Sequence, residues 1–279
     1  MHGRTLALYG QSGSGKTTQL GEYAKWTYQR TGKRTRYFAA DMGGHDSIDP
    51  LIDLGIIEPV YMNEEDDPWT WVGKAVQSAP PEGVGLVCYD SGSSISEALL
   101  SSCAKLASQG QQVGSQKALK FSIPKTDLTI GTNTESHYMV VQSYMLDRIW
   151  QSTWLARRSG VDVVWTFGEH RAESTNDAPI VGPKLAGKAL TASIPKWLRY
   201  TLRLVTVAQE GATARHLLYT TEQPELNGMG MSFANARYPL AATTPLPAII
   251  EPASLIEFWD IMERAQIEAK ANLKLEVGI

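Results

Sequence analysis

Eight consecutive residues, Gly10-Gln11-Ser12-Gly13-Ser14-Gly15-Lys16-Thr17, constrain this chain more than any other segment. They satisfy G-x-x-x-x-G-K-[ST] at every fixed position, a pattern that has chemical meaning only between a strand and a helix. Both neighbours are in place. Thr5-Leu6-Ala7-Leu8-Tyr9 is a short apolar run that reads as a buried strand, and 17–30 reads as a helix stopped near Gly32. Glycines at these positions let successive backbone N–H groups turn inward around an anion, and the helix N-terminus adds its dipole. The expected ligand is the phosphate chain of a nucleoside triphosphate, held from Gly10 through Thr18. Lys16 then pairs with the β- and γ-phosphates, and the Thr17 hydroxyl binds Mg²⁺. The bland alternative is a glycine-rich turn that holds nothing.

Such a loop needs a second metal-side carboxylate on a neighbouring strand. Val84-Gly85-Leu86-Val87-Cys88-Tyr89-Asp90 is an apolar run ending in an acid, followed by a helical pattern over 94–108. Asp90 is therefore the expected Mg²⁺-side acid, although many strands end in Asp. With a net charge of -3, the chain has no global attraction for nucleic acid or anionic membrane. A polymer would have to bind through local basic loops. Cys88 and Cys103 have no metal-ligand spacing and read as buried thiols in a reducing compartment. No apolar stretch approaches the ~18 residues of a membrane span. Thr5–Tyr9 is too short for a signal peptide, so a cytoplasmic protein with no membrane partner is expected.

The remaining pattern alternates strands (35–40, 57–62, 84–89, 161–167) with helices (68–78, 94–108, 138–158). That order predicts an α/β fold with a mostly parallel sheet flanked by helices. Segments 198–208 and 213–220 read as an antiparallel hairpin at the sheet edge. A core over 1–238 would contain two flexible loops, 109–137 and 171–195. The Pro-rich stretch 239–252 reads as a linker, and 253–279 carries a terminal helix over 253–272. Val141, Met145, Ile149, Trp150 and Trp154 are expected to form one apolar face packed on the sheet. Trp69 and Trp71 are expected to pack at a helix start.

From about Ala7 to Val207 the order of motifs resembles the RecA core. The carriers are Tyr37-Phe38-Ala39-Ala40-Asp41-Met42-Gly43-Gly44, Asp49-Pro50, Leu54-Gly55-Ile56, Asp90-Ser91, Thr166-Phe167-Gly168-Glu169-His170, and Gly182 to Leu190 before a strand ending Leu202-Arg203-Leu204. The likeness is closer still to compact phage ATPases that keep only this RecA-like P-loop NTPase core, some of which anneal single-stranded DNA. It implies a Mg²⁺-dependent ATPase, phage-type, acting on single-stranded DNA in recombination, annealing or replication. ATP and Mg²⁺ are the implied cofactors.

The resemblance also implies roles for single residues. The acid after the second strand would orient the attacking water. The family has a Glu closely following an Asp there, whereas this chain has only Asp41 and then Met42. Either Asp41 acts as the base, or Met42 takes the position and hydrolysis is slow. His170 matches a γ-phosphate sensor, with Glu169 as the competing polar residue. The two DNA-contacting loops correspond to 109–137, with Lys117, Lys120, Phe121 and Lys125, and to 171–195, with Arg171, Lys184 and Lys188. Ordinary solvated loops are the alternative, and Glu173 and Asp177 weaken the charge pattern of the second. Arg237, with Asn235 where such proteins carry Lys, matches a cation donated to a neighbouring copy, which implies a homo-oligomeric ring or filament. A competing function is a nucleotide-gated assembly or loading switch that hydrolyses slowly without DNA stimulation. A small-molecule phosphotransferase is disfavoured by the late hairpin.

Overall fold

The computed structural model describes residues 3–40, 45–63, 65–77, 80, 82–108, 135–172, 180–186, 194–208, 213–224 and 231–277. β1 (Thr5–Gly10) is buried along its whole length, as expected of a strand covered on both faces. It feeds α1 (Lys16–Thr31), bounded by left-handed glycines at Gly15 (φ 92°) and Gly32 (φ 67°). There follow β2 (Arg34–Ala39), α2 (Asp49–Asp53), β3 (Ile57–Tyr61), α3 (Pro68–Gln77), β4 (Val84–Asp90) and α4 (Gly92–Ser108). Next come α5 (Glu135–Ser159), β5 (Asp162–Phe167), β6 (Glu169–Ala172), β7 (Ile180–Pro183), α6 (Ile194–Trp197) and β8 (Tyr200–Val207). The chain closes with β9 (Arg215–Tyr219), β10 (Thr221–Pro224), β11 (Met231–Ala236), β12 (Ile249–Ile250) and α7 (Leu255–Val277).

The strands form one mixed sheet whose main run is β3-β2-β4-β5-β1-β8, every neighbouring pair parallel. Beyond β8 the sheet changes sense. β9 and β11 both run antiparallel to β8, β7 joins β11, and β6 closes a hairpin on β7. The fold is thus α/β with a large, mostly parallel sheet.

Side chains alternate between two cores, as the period of a strand requires. Ala7, Tyr9, Val87, Tyr89 and Trp165 face the side covered by α3, α4 and α5. Leu6, Leu8, Leu86, Cys88 and Val164 face the side covered by α1 and α7, where Tyr23, Phe258 and Trp259 pack.

Several expectations need correction. Val141, Met145 and Ile149 are buried, but Trp150 and Trp154 are 42% and 45% exposed and meet each other edge-on at 5.7 Å. One residue turns a helix by about 100°, so Trp150 leaves the face that Ile149 occupies, and Trp154 follows it one turn later. Stretch 171–195, read as a loop, contains the end of β6, all of β7 and the start of α6. Stretch 239–252, read as a linker, contains β12, which pairs with β9. The terminal helix is no appendage: Leu255, Phe258, Trp259 and Met262 belong to the core beside α1. Residues 109–134 lie outside the described residues.

Candidate nucleotide-binding site

The registers Ala39↔Asp90 and Tyr9↔Phe167 bring the C-terminal ends of β2, β4, β5 and β1 to one edge of the sheet. β5 follows β1 and β4 in the chain yet lies between them, so connections diverge at this point and open a crevice. The glycine-rich loop crosses that crevice. Gly13 and Gly15 adopt positive φ of 76° and 92°, which side-chain-bearing residues avoid. Gly10 is required for another reason: a Cβ there would lie 2.4 Å from the Leu204 carbonyl oxygen on β8.

Lys16 Nζ donates to the carbonyl oxygens of Gly10 (3.0 Å) and Gln11 (2.8 Å). Thr17 Oγ1 donates to Asp90 Oδ2 at 3.1 Å. Asp90 is only 7% exposed. Besides Thr17 it accepts from the Tyr37 hydroxyl on Oδ2 and from the Thr166 hydroxyl on Oδ1. Hydroxyls from α1, β2 and β5 thus fix one carboxylate on β4. Burial first, and then the neighbouring Asp90 charge, push the Tyr37 phenol far above its usual range, so it remains a donor.

The cleft has a volume of about 430 Å³, within the range of small-molecule sites. One wall is the loop and the start of α1: Ser12, Gly13, Gly15, Lys16, Thr17 and Thr18. The other is Asp90, Ser91, Ser93, Ser94 and Glu97, with Ser47, Gly168 and Lys184 completing it. Ser93 clasps this second wall: its Oγ donates to the Lys184 carbonyl (2.6 Å) and accepts from the Gly168 amide (2.8 Å). Gly92 permits the close approach, since a Cβ there would lie 2.4 Å from Phe167 Cε1.

Among the described residues no group of three or more His, Cys, Asp and Glu gathers as a metal site. The adjacent Thr17 hydroxyl and Asp90 carboxylate nevertheless suit a hard cation of the Mg²⁺ type, which keeps several waters and takes its remaining ligands from phosphate.

The other predicted residues divide sharply. Asp41 and Met42 lie outside the described residues, but their neighbours reach the site: the Ala40 amide donates to the Asp90 carbonyl (2.9 Å), and Ser47 lines the cleft. His170 sits on β6 opposite Gly182 and is not among the residues lining the cleft. Glu169 is engaged by Arg203 at 3.0 Å, both side chains nearly buried. Lys184 lines the cleft, because β7 folds back on β6 and returns its end to β5.

Arg171 is exposed on β6, whereas Lys117, Lys120, Phe121, Lys125 and Lys188 lie outside the described residues. Arg237 is exposed just beyond β11, whose Ala236 pairs with Tyr200 at the start of β8. Tyr200 neighbours Leu6, four residues before Gly10, so Arg237 sits toward the opposite edge of the sheet from the loop.

Sequence reasoning gave no role to Tyr37, Thr166, Ser93 or Glu97. The run Ser91-Gly92-Ser93-Ser94 after Asp90 was an available signal, since hydroxyl-rich residues after a strand-end acid mark a polar wall. No protein-family model matches the chain, and no curated protein matches it in sequence.

Proposed function

We propose that the chain binds a nucleoside triphosphate with Mg²⁺ and hydrolyses it, as an ATPase with a RecA-like core acting on single-stranded DNA. One observation carries the nucleotide part: Thr17, at the start of the loop's helix, hydrogen-bonds Asp90, at the end of a parallel strand, inside the cleft lined by the loop. Lys16 turns from the Gly10 and Gln11 carbonyls to phosphate oxygens. Loop amides and the α1 N-terminus hold the remaining charge. When bound, Mg²⁺ neutralises charge on the β- and γ-phosphates; Thr17 and Asp90 are the residues that hold it. Tyr37 and Thr166 keep the Asp90 carboxylate in place. Asp41 is assigned to orient the attacking water, two residues beyond the Ala39–Asp90 pairing. The interrupted parallel sheet with a late antiparallel hairpin supports the RecA-like assignment. The DNA part rests on that resemblance and on the exposed Arg171.

The second reading, a nucleotide-gated switch with slow turnover and no DNA stimulation, is favoured by the position of Lys184. That residue lines the same cleft as the glycine-rich loop.

The test is Mg²⁺-dependent ATP binding and hydrolysis, with and without single-stranded DNA, for the wild-type chain and for Lys16→Ala, Asp90→Asn and Asp41→Ala. DNA-stimulated turnover lost in all three variants is the expected result. Tight binding without stimulation, unchanged in Asp41→Ala, would move the assignment to the switch. Absence of nucleotide binding by the wild-type chain would end both.

A further inference from the structure

The wall facing the phosphate loop carries an ion pair that the proposed mechanism does not use. Lys184 Nζ lies 2.7 Å from Glu97 Oε1, and both residues line the cleft. The two side chains are 50% and 56% exposed, and a pair so exposed is held weakly. The backbone beneath Lys184 is fixed by contrast. Its amide donates to the Gly168 carbonyl at 2.8 Å, and its carbonyl accepts from Ser93 Oγ at 2.6 Å. Its stem lies over Gly168, where an added Cβ would sit 3.6 Å from both Lys184 Cβ and Cδ. An anchored base and a weakly held cationic head suit a group that changes partner. The loop grips phosphate from one wall of the cleft, and Lys184 lines the same cleft beside Ser93 and Glu97. A phosphate oxyanion there offers Lys184 more negative charge than a single carboxylate does, and lysine binds phosphate as a compact point charge.

Resting on the nucleotide reading above, we propose that Lys184 distinguishes triphosphate from diphosphate: it exchanges Glu97 for the terminal phosphate, and Glu97 competes with that phosphate for it. Because Ser93 and Gly168 tie Lys184 to α4 and β5, the exchange links the nucleotide to the chain leaving β7. No bond is made or broken in the exchange.

The experiment is equilibrium titration of the full chain, with Mg²⁺, by a non-hydrolysable ATP analogue and by ADP. The wild-type chain is compared with Lys184→Gln, Lys184→Arg and Glu97→Gln, each checked for an unchanged thermal transition. Lys184→Gln should weaken the triphosphate analogue by about tenfold or more and ADP by less than about twofold, and Lys184→Arg should recover most of the loss. Glu97→Gln, which removes the competitor, should tighten the analogue by roughly twofold to fivefold. Equal weakening of both nucleotides by Lys184→Gln, or of neither, overturns the proposal. A wild-type chain that binds ADP and the analogue equally well also overturns it, while leaving the nucleotide site intact. Binding of neither nucleotide to the wild-type chain overturns the site itself.

Discussion

Asp90 owes its fixed position to residues from three other elements. Thr17, Tyr37 and Thr166 all donate to its carboxylate, and none of the three is adjacent to it in the chain. Removing one donor leaves a buried acceptor short of a partner, which costs about 1–3 kcal/mol for a charged group. Tyr37→Phe and Thr166→Val should each lower stability by that amount in urea denaturation, and each should weaken Mg²⁺-dependent nucleotide binding. The two thiols make a second residue-scale prediction. Burial pushes Cys103 up to about 12, and burial followed by the nearby Asp90 charge raises Cys88 well above its ordinary value. Both remain thiols at pH 8, so a disulfide reagent should find no reactive cysteine in the folded chain and both after unfolding. Lys16 and Thr17 stand out in the sequence because motif spacing specifies them, and Asp90 because it ends an apolar run. Tyr37 and Thr166 were not, because only the sheet register sets three strand ends side by side. The place of Lys184 at the cleft was not legible, because chain order puts it in a loop while strand pairing carries it back.

At the scale of elements, α7 is bound to the loop's own helix. Gln19 on α1 donates to the Ala253 carbonyl and accepts from the Leu255 amide, so it satisfies a backbone donor at the α7 N-terminus. Farther along, Glu263 accepts from Arg4 before β1 at 2.5 Å and from Arg30 on α1 at 2.9 Å. Partial burial works to raise the Glu263 carboxyl, but the two arginines outweigh it and hold the group below the usual carboxylate range. A depressed folded value gives stability that is present above the unfolded carboxylate pKa and lost as pH falls through the folded one. Glu263→Gln should therefore cost about 1–2 kcal/mol at pH 7, with the gap to wild type flat down to about pH 5 and closing below about pH 4. Denaturant melts across that range measure it. The helical character of α7 was legible from its period, but its docking was not. The Pro-rich run ahead of it hid β12, a strand of two residues too short to show an alternating pattern.

Over the whole molecule, the sheet has two chemically different edges. The C-terminal edge of its parallel strands holds the candidate nucleotide cleft, and Arg237 is exposed toward the other. A catalytic use of Arg237 is therefore expected in trans, at the Thr17 and Asp90 of a neighbouring copy. If Arg237 is donated to a neighbouring copy, as the resemblance to RecA-like ATPases implies, Lys16→Ala and Arg237→Ala should each lose most ATPase activity alone. An equimolar mixture should recover part of it, because intact clefts then meet intact arginines; steady-state turnover of the mixture measures this. The α/β class and the order of the parallel elements were legible because each strand–helix unit is local. The strands beyond β8 were largely missed, since β7 and β11 pair across a long stretch of chain and β10 and β11 are short and rich in polar residues such as Glu222, Gln223, Ser232 and Asn235.

If Arg237 serves a neighbour's cleft, as the resemblance implies, the opposition of the two also fixes a rule of counting. Copies joined edge to edge in an open row would leave one cleft unmet at one end and one arginine unused at the other. Completed sites would then number one fewer than the copies, and turnover per copy would climb as rows lengthen. A closed ring leaves no such remainder, and turnover per copy would stay level once the ring had formed.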